Sequence, residues 1–88
     1  MLHFDITITG KVQNVGYRFY AQKSAHAFDI TGFVKNQKDG SVHIEAEGEE
    51  ENLKRFVEWC HKGPPWAEVE SVTVNPAALK NMRGFLVK

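Results

Sequence analysis

A tight turn predicted at Lys38-Asp39-Gly40 restricts the fold of this chain more than any other local feature. The Asp-Gly pair is typical of a β-hairpin, because both residues tolerate the backbone conformation that such turns need. The turn separates two strand-like segments, residues 30–36 and residues 41–47. Apolar and polar residues alternate in the second segment, which indicates a strand with one buried face. Its predicted inward residues are Val42, Ile44 and Ala46.

Two helices are predicted from apolar residues at three- and four-residue intervals. The first begins at Tyr17, after a loop at residues 10–16, and spans about eleven residues. The second begins with Glu49-Glu50-Glu51, whose charge suits a helix N-terminus, and stops at Lys62-Gly63-Pro64-Pro65. Its predicted buried residues are Leu53, Phe56, Val57 and Cys60.

Three further strands complete the pattern. Residues 4–9 alternate as a half-buried strand, and residues 68–74 form a later strand that Asn75-Pro76 is predicted to end. In that later strand Val69 and Val72 are out of step, which indicates a bulge. Phe85-Leu86-Val87 is predicted to be a short last strand at a sheet edge.

This order of elements predicts a single α+β domain over residues 1–88, a ferredoxin-like βαββαβ sandwich. Right-handed crossovers give an antiparallel sheet in the order 4-1-3-2, with both helices on one face and a short extra C-terminal strand. The first and second strands then run parallel, two strand spacings or about 10 Å apart. Their C-terminal ends, near Arg18 and at Asn36, should therefore face each other.

Composition excludes several classes of protein. The chain has 88 residues with eleven basic and eleven acidic side chains, which argues against nucleic-acid binding through the whole surface. The region 10–40 carries five basic against two acidic residues, so a small anion could still be attracted there. Asp5 interrupts any signal peptide, no apolar run could span a membrane, and Cys60 is the one cysteine. We expect a cytoplasmic protein.

The segment Gly10-Lys11-Val12-Gln13-Asn14-Val15-Gly16-Tyr17-Arg18 joins a strand to a helix. A turn of this kind directs backbone N–H groups at one point, and the helix N-terminus adds partial positive charge. Arg18 can offer two parallel N–H groups to two phosphate oxygens. The segment therefore predicts a phosphate-binding loop, although many glycine-bounded turns before helices bind nothing.

That segment resembles the first signature of the acylphosphatase family, Gly-x-Val-Gln-Gly-Val-x-aromatic-Arg. Gly32-Phe33-Val34-Lys35-Asn36, followed by Asp39-Gly40-Ser41-Val42, is similar to the second signature. The resemblance covers nearly the whole chain and implies an enzyme, a hydrolase that splits acyl phosphates into carboxylate and inorganic phosphate. It implies that Arg18 binds the phosphoryl group and that Asn36 positions the attacking water.

The same resemblance implies no cofactor and no metal, with a small-molecule acyl phosphate as the partner. The neutral charge argues against nucleic acid, and the absence of a long apolar run argues against a membrane. We also expect a monomer. The predicted substrate-binding residues are Gln13, Asn14, Val15, Gly16, Tyr17 and Arg18. Asn14 departs from the family pattern, which has glycine there. Because asparagine visits the left-handed region more readily than most residues, we predict a positive φ at Asn14.

Other candidate residues have ordinary structural interpretations. The four histidines lack metal-ligand spacing and are predicted to lie on the surface: His3, His26, His43 and His61. Cys60 is predicted to be a core residue rather than a nucleophile, and Phe33 to pack rather than stack on a base. Lys35 is predicted to be solvated, with anion attraction as the alternative. For the Gln13 side chain, support of the loop and a purely structural role stay equally open.

Two other functions compete with hydrolysis. The same fold carries RNA-recognition domains, and Gly32-Phe33-Val34 faintly resembles one of their motifs, but the paired aromatics and basic flanks are missing. A catalytically idle domain that senses phosphate-like ligands is the second alternative. Turnover of benzoyl phosphate would separate it from an enzyme.

Overall fold

Five strands form one sheet, and two helices pack against one of its faces. A computed structural model describes all 88 residues. The elements are β1 (Leu2–Lys11), α1 (Tyr17–Ala27), β2 (Thr31–Asn36), β3 (Val42–Gly48), α2 (Glu50–Lys62), β4 (Glu68–Ala77) and β5 (Phe85–Val87). The strand order is β4-β1-β3-β2-β5, which confirms the predicted order and the βαββαβ topology. β5 extends the sheet beside β2 and runs parallel to it, while the other neighbours are antiparallel.

The core lies between the helix-covered face of the sheet and the two helices. Alternate residues of the central strands point into it, including Ile6, Ile8 and Ile44, which are fully buried. α2 contributes Leu53, Phe56 and Cys60, as its helical spacing predicts. From α1 the buried residues are Tyr17, Ala21 and Ala25. The small alanines let α1 lie close to the sheet, and this fixes the position of the loop that precedes the helix.

β4 confirms one sequence prediction and corrects another. Thr9 pairs with Ser71 and Gly10 with Val69, so Glu70 is left over as a bulge, as the pattern predicted. Gly10 has a φ of 120°, and a Cβ there would collide with the Glu68 carbonyl. The prediction that Asn75-Pro76 ends the strand is wrong, because β4 continues to Ala77. β4 is an edge strand, where the missing N–H of proline removes no ladder hydrogen bond.

The prediction that all four histidines lie on the surface is wrong for His3, which is buried on the open face of the sheet. His3 is 2% exposed. Its Nδ1 lies 2.7 Å from Glu47 Oε2 and its Nε2 lies 3.0 Å from Glu45 Oε1. Both contacts are hydrogen bonds when both ring nitrogens carry hydrogen and both carboxyl groups are ionised. Sequence spacing could not reveal this arrangement, because β1 and β3 bring the three residues together across the sheet.

Glu47 also fixes the segment that connects β4 to β5. Its carboxylate accepts hydrogen bonds from the backbone N–H groups of Lys80 and Met82, and the Lys80 ammonium donates to Glu45 at 2.8 Å. We call His3, Glu45, Glu47 and Lys80 the buried histidine cluster. It holds Lys80 and Met82, in the connection between β4 and β5, against the sheet.

Neither helix has the length and the apolar composition that crossing a membrane would require.

Candidate active site

Arg18 and Asn36 line one cleft at the end of the sheet. The cleft has a volume of about 400 Å³ and lies where the loop after β1, the first turn of α1, the end of β2 and the end of β5 meet. Its lining residues are Val12, Asn14, Gly16, Tyr17, Arg18, Phe19, Asn36 and Val87. The structure therefore brings together the two residues that the topology argument placed across from each other.

The loop before α1 adopts the strained conformation that the sequence predicted. Asn14 has a φ of 61°, which confirms the expectation of a positive φ at this position. Gly16 is also left-handed, with φ 80° and ψ 14°, and it is the N-cap of α1. Among the backbone hydrogen bonds outside the helices and strands, none is donated by Gln13, Asn14, Val15 or Gly16. Unpaired N–H groups beside a helix N-terminus favour an anion in this cleft.

Arg18 extends from the first turn of α1 and is half-buried. Its Nη1 donates a hydrogen bond of 2.7 Å to the main-chain oxygen of Lys88, next to β5. A guanidinium has five N–H groups, so this bond orients the side chain and leaves the others free for a ligand. The planar fork is suited to two oxygens of one phosphoryl group.

Asn36 is the last residue of β2 and carries an unsatisfied acceptor. Its Oδ1 is buried and has no hydrogen-bond partner, and it is the one buried side-chain polar atom of which this is true. Leaving a buried acceptor unpaired costs about 1–3 kcal/mol, so such groups concentrate at functional sites. Asn36 therefore lines the cleft that contains Arg18, while its Oδ1, which is shielded from solvent, has no partner within the chain.

Gln13 contacts the hairpin turn rather than the cleft. Its Nε2 donates to the carbonyl of Gln37 at 2.7 Å and to that of Ser41 at 2.9 Å. Those two carbonyls belong to the turn that follows Asn36, so Gln13 joins the loop to the end of β2. Both of its side-chain N–H groups are thereby used, and its predicted contact with substrate could come only from the backbone N–H.

The side chains of Val15 and Tyr17 also make contacts within the core. Val15 packs against the core. The Tyr17 hydroxyl donates to the Cys60 carbonyl at 2.7 Å, and burial raises the Tyr17 pKa above its ordinary value. These two residues can therefore serve the substrate-binding role predicted for them only through their backbone N–H groups.

The remaining candidates lie outside the cleft. Cys60 is buried, as predicted, and burial raises the pKa of its thiol to about 12. Phe33 packs on the open face, where the Lys88 ammonium lies 4.1 Å from its ring centroid. Ligand atoms of Asp5, His43 and Glu45 lie within 4.8 Å of one another and could surround a cation, but Glu45 already receives the Lys80 ammonium.

Comparison with known proteins agrees with this geometry. The family model for acylphosphatase matches residues 4–87. This chain belongs to the acylphosphatase family. It is 42% identical to the acylphosphatase of Bacillus velezensis over 88 residues, covering 99% of this chain and 98% of that protein. It is 40% identical to the acylphosphatase of a Nocardioides species over 84 residues, covering 96% and 85%.

The crystal structure of acylphosphatase from Bacillus subtilis superimposes with a TM-score of 0.98 at 37% identity, covering 100% of this chain and 99% of that one. The resemblance of the two signatures is thus confirmed for the family and for the fold. Sequence reasoning missed that Phe19 and Val87 line the cleft and that the Lys88 main chain accepts a hydrogen bond from Arg18. Helical spacing could have indicated Phe19, which lies off the buried face of α1, but nothing local indicated the other two.

Proposed function

We propose that the cleft binds the phosphoryl group of an acyl phosphate and hydrolyses its carboxyl–phosphate bond, releasing a carboxylate and inorganic phosphate. Family membership supports the reaction class, which is that of an acylphosphatase hydrolase. The mechanism rests on the observation that Asn36, whose Oδ1 has no hydrogen-bond partner within the chain, lines the same cleft as Arg18.

Arg18 and the loop N–H groups have the role of charge stabilisation. The transferred phosphoryl group spreads negative charge over three oxygens in the transition state, and fixed donors stabilise that charge without reorganising. Arg18 supplies a full positive charge from one side. The N–H groups of residues 13–16, together with the N-terminus of α1, supply partial positive charge from another.

Asn36 has the role of holding the attacking water. A water molecule hydrogen-bonded to the Asn36 amide keeps a lone pair for attack on phosphorus. A new P–O bond forms to this water as the bond to the acyl oxygen breaks, and the bonding pair leaves with the carboxylate. An amide is not a base, so the proton of the water ends on the phosphate product.

The composition of the cleft favours acyl phosphates over ordinary phosphate esters. No carboxylate, histidine or thiol lines it. A carboxylate is a good leaving group and needs no general acid, whereas an alkoxide does. We expect slow turnover of alkyl phosphate monoesters for this reason.

Benzoyl phosphate hydrolysis, followed by ultraviolet absorbance, tests the proposal. The wild-type chain should hydrolyse it in EDTA, with inorganic phosphate and sulfate as competitive inhibitors. Asn36→Ala should lower kcat by about 100-fold, with the inhibition constant for phosphate within about threefold of wild type. Asn75→Ala, a matched change at an exposed position of β4, should leave both values unchanged.

Three results would contradict this proposal. A wild-type chain that binds phosphate without turnover would instead be a phosphate sensor. An Asn36→Ala variant that keeps kcat but binds phosphate much more weakly would make Asn36 a binding residue. Loss of activity in EDTA would require a metal.

A further inference from the structure

The cleft has an apolar side that the hydrolytic mechanism does not use. Phe19 follows Arg18 in the first turn of α1 and lines the same cleft, and its side chain is 62% exposed. Val87 of β5 lines the cleft too and is 43% exposed. An anion site with a large exposed aromatic ring at its edge can hold more than phosphate.

Phe19 contributes little to the fold. The residues of α1 that enter the core are Tyr17, Ala21 and Ala25, and Phe19 is absent from the core cluster. Its aromatic contact is with Tyr20, edge-to-face at 5.3 Å. Single exposed apolar side chains are common on protein surfaces. Phe19 differs from them in its position, because it shares the cleft with Arg18 and Asn36.

In-line attack determines where the acyl group must go. The attacking water and the leaving carboxylate lie on opposite sides of phosphorus. Asn36 belongs to the sheet layer, whereas Phe19 belongs to α1 in the helix layer. A water held by Asn36 therefore directs the leaving group away from the end of β2, and Phe19 lines the cleft from α1 rather than from β2.

We propose that Phe19 is a specificity-determining residue that contacts the acyl part of the substrate, so that acyl phosphates with aromatic or branched apolar acyl groups are preferred over acetyl phosphate. This inference rests on the proposed function. The phosphoryl group is held by Arg18 and the loop whatever the acyl group is, and the ring of Phe19 removes an apolar acyl group from water.

The test compares kcat/KM for benzoyl phosphate and acetyl phosphate in the wild type and in Phe19→Ala. The variant should lose about tenfold on benzoyl phosphate, the order expected for losing one apolar contact, and less than about twofold on acetyl phosphate. Phe19→Leu, which keeps an apolar side chain, should recover benzoyl phosphate activity to within about threefold of wild type. Inhibition by inorganic phosphate, which has no acyl group, should not change.

Trp66→Ala is the matched control. Trp66 is 75% exposed and does not line the cleft, so its removal should change neither substrate. An equal loss on both substrates in Phe19→Ala would overturn the proposal, because Phe19 would then act on the loop. No loss on either substrate would also overturn it. A wild-type chain that hydrolyses neither substrate would instead contradict the proposed function itself.

Discussion

The cleft and the buried histidine cluster both contain polar side chains, but they differ in how many of those side chains have hydrogen-bond partners within the chain. In the cluster, both nitrogens of His3 and the Glu47 carboxylate have partners within the chain. In the cleft, the Asn36 Oδ1 has none, and Arg18 uses one donor on the Lys88 main chain.

This difference distinguishes polar side chains that stabilise the fold from polar side chains that can bind a ligand. A polar group whose partners all lie within the chain stabilises the fold and has nothing left to offer a ligand. A group that is held in place but left without a partner costs stability, and a ligand can recover that cost. Variants of the cleft should therefore change activity with little effect on stability, and variants of the cluster should do the reverse.

Arg18→Ala should have the largest effect. Removing the positive charge at the phosphoryl group should lower kcat/KM for benzoyl phosphate by about 1,000-fold, with the free energy of unfolding within about 1 kcal/mol of wild type. Arg18→Lys should recover little, because an ammonium cannot form the bidentate contact. A lysine variant with near wild-type turnover would contradict the assigned role.

His3→Leu should show the opposite pattern. The substitution leaves Glu45 and Glu47 without their shared partner, and breaking a buried pair costs about 3 kcal/mol. Urea unfolding measures the loss. His43→Leu is the control, since His43 pairs with the more exposed Asp5 and should cost about 1 kcal/mol or less. Equal losses in the two variants would show that the burial of His3 has no special energetic role.

Glu47→Gln should make the free energy of unfolding depend less on pH in the acid range. Burial opposes ionisation of Glu47, but the N–H groups of Lys80 and Met82, together with His3, outweigh it and hold its pKa below the ordinary value. A lowered pKa in the folded state contributes stability that is present above the ordinary pKa and is lost as pH falls through the folded one.

The Glu47→Gln variant should therefore be less stable than wild type by about 1–2 kcal/mol at pH 7, and the gap should close toward pH 3. Urea unfolding between pH 3 and pH 7 measures this. Glu58→Gln, at an exposed position of α2 beyond its first turn, serves as the control and should follow the wild-type profile. A gap that stays constant with pH would exclude ionisation of Glu47 as its cause.

Substitutions of Asn14 should have the smallest effects on stability and phosphate binding. Because its φ is 61°, Asn14→Gly should change the free energy of unfolding by less than about 0.5 kcal/mol, the strain relieved being offset by a looser unfolded chain. Asn14→Val should cost about 1–2 kcal/mol and weaken phosphate inhibition, since a β-branched residue resists this conformation. If Asn14→Gly also weakened phosphate inhibition, the Asn14 side chain itself would be a ligand.

The sequence by itself determined the features that depend on neighbouring residues. Apolar spacing indicated both helices and the central hairpin, and the mismatch of Val69 and Val72 indicated the bulge in β4, whereas the glycine of the family signature indicated a left-handed Asn14. These features follow from local sterics and from burial of one face, which a short window of sequence contains. Topology then added one long-range result, the shared cleft of Arg18 and Asn36.

Only the tertiary structure decided which contacts form between residues that are far apart in the chain. The sequence predicts a surface position for His3, but the pairing of β1 with β3 places it between two glutamates. The role of the Gln13 side chain stays open in the sequence, and only the structure shows that its amide donates to the carbonyls of Gln37 and Ser41. The Lys88 contact with Arg18 depends on β5 running parallel to β2. A hydrogen-bond partner is set by the position of another strand, and no local pattern of residues encodes that position.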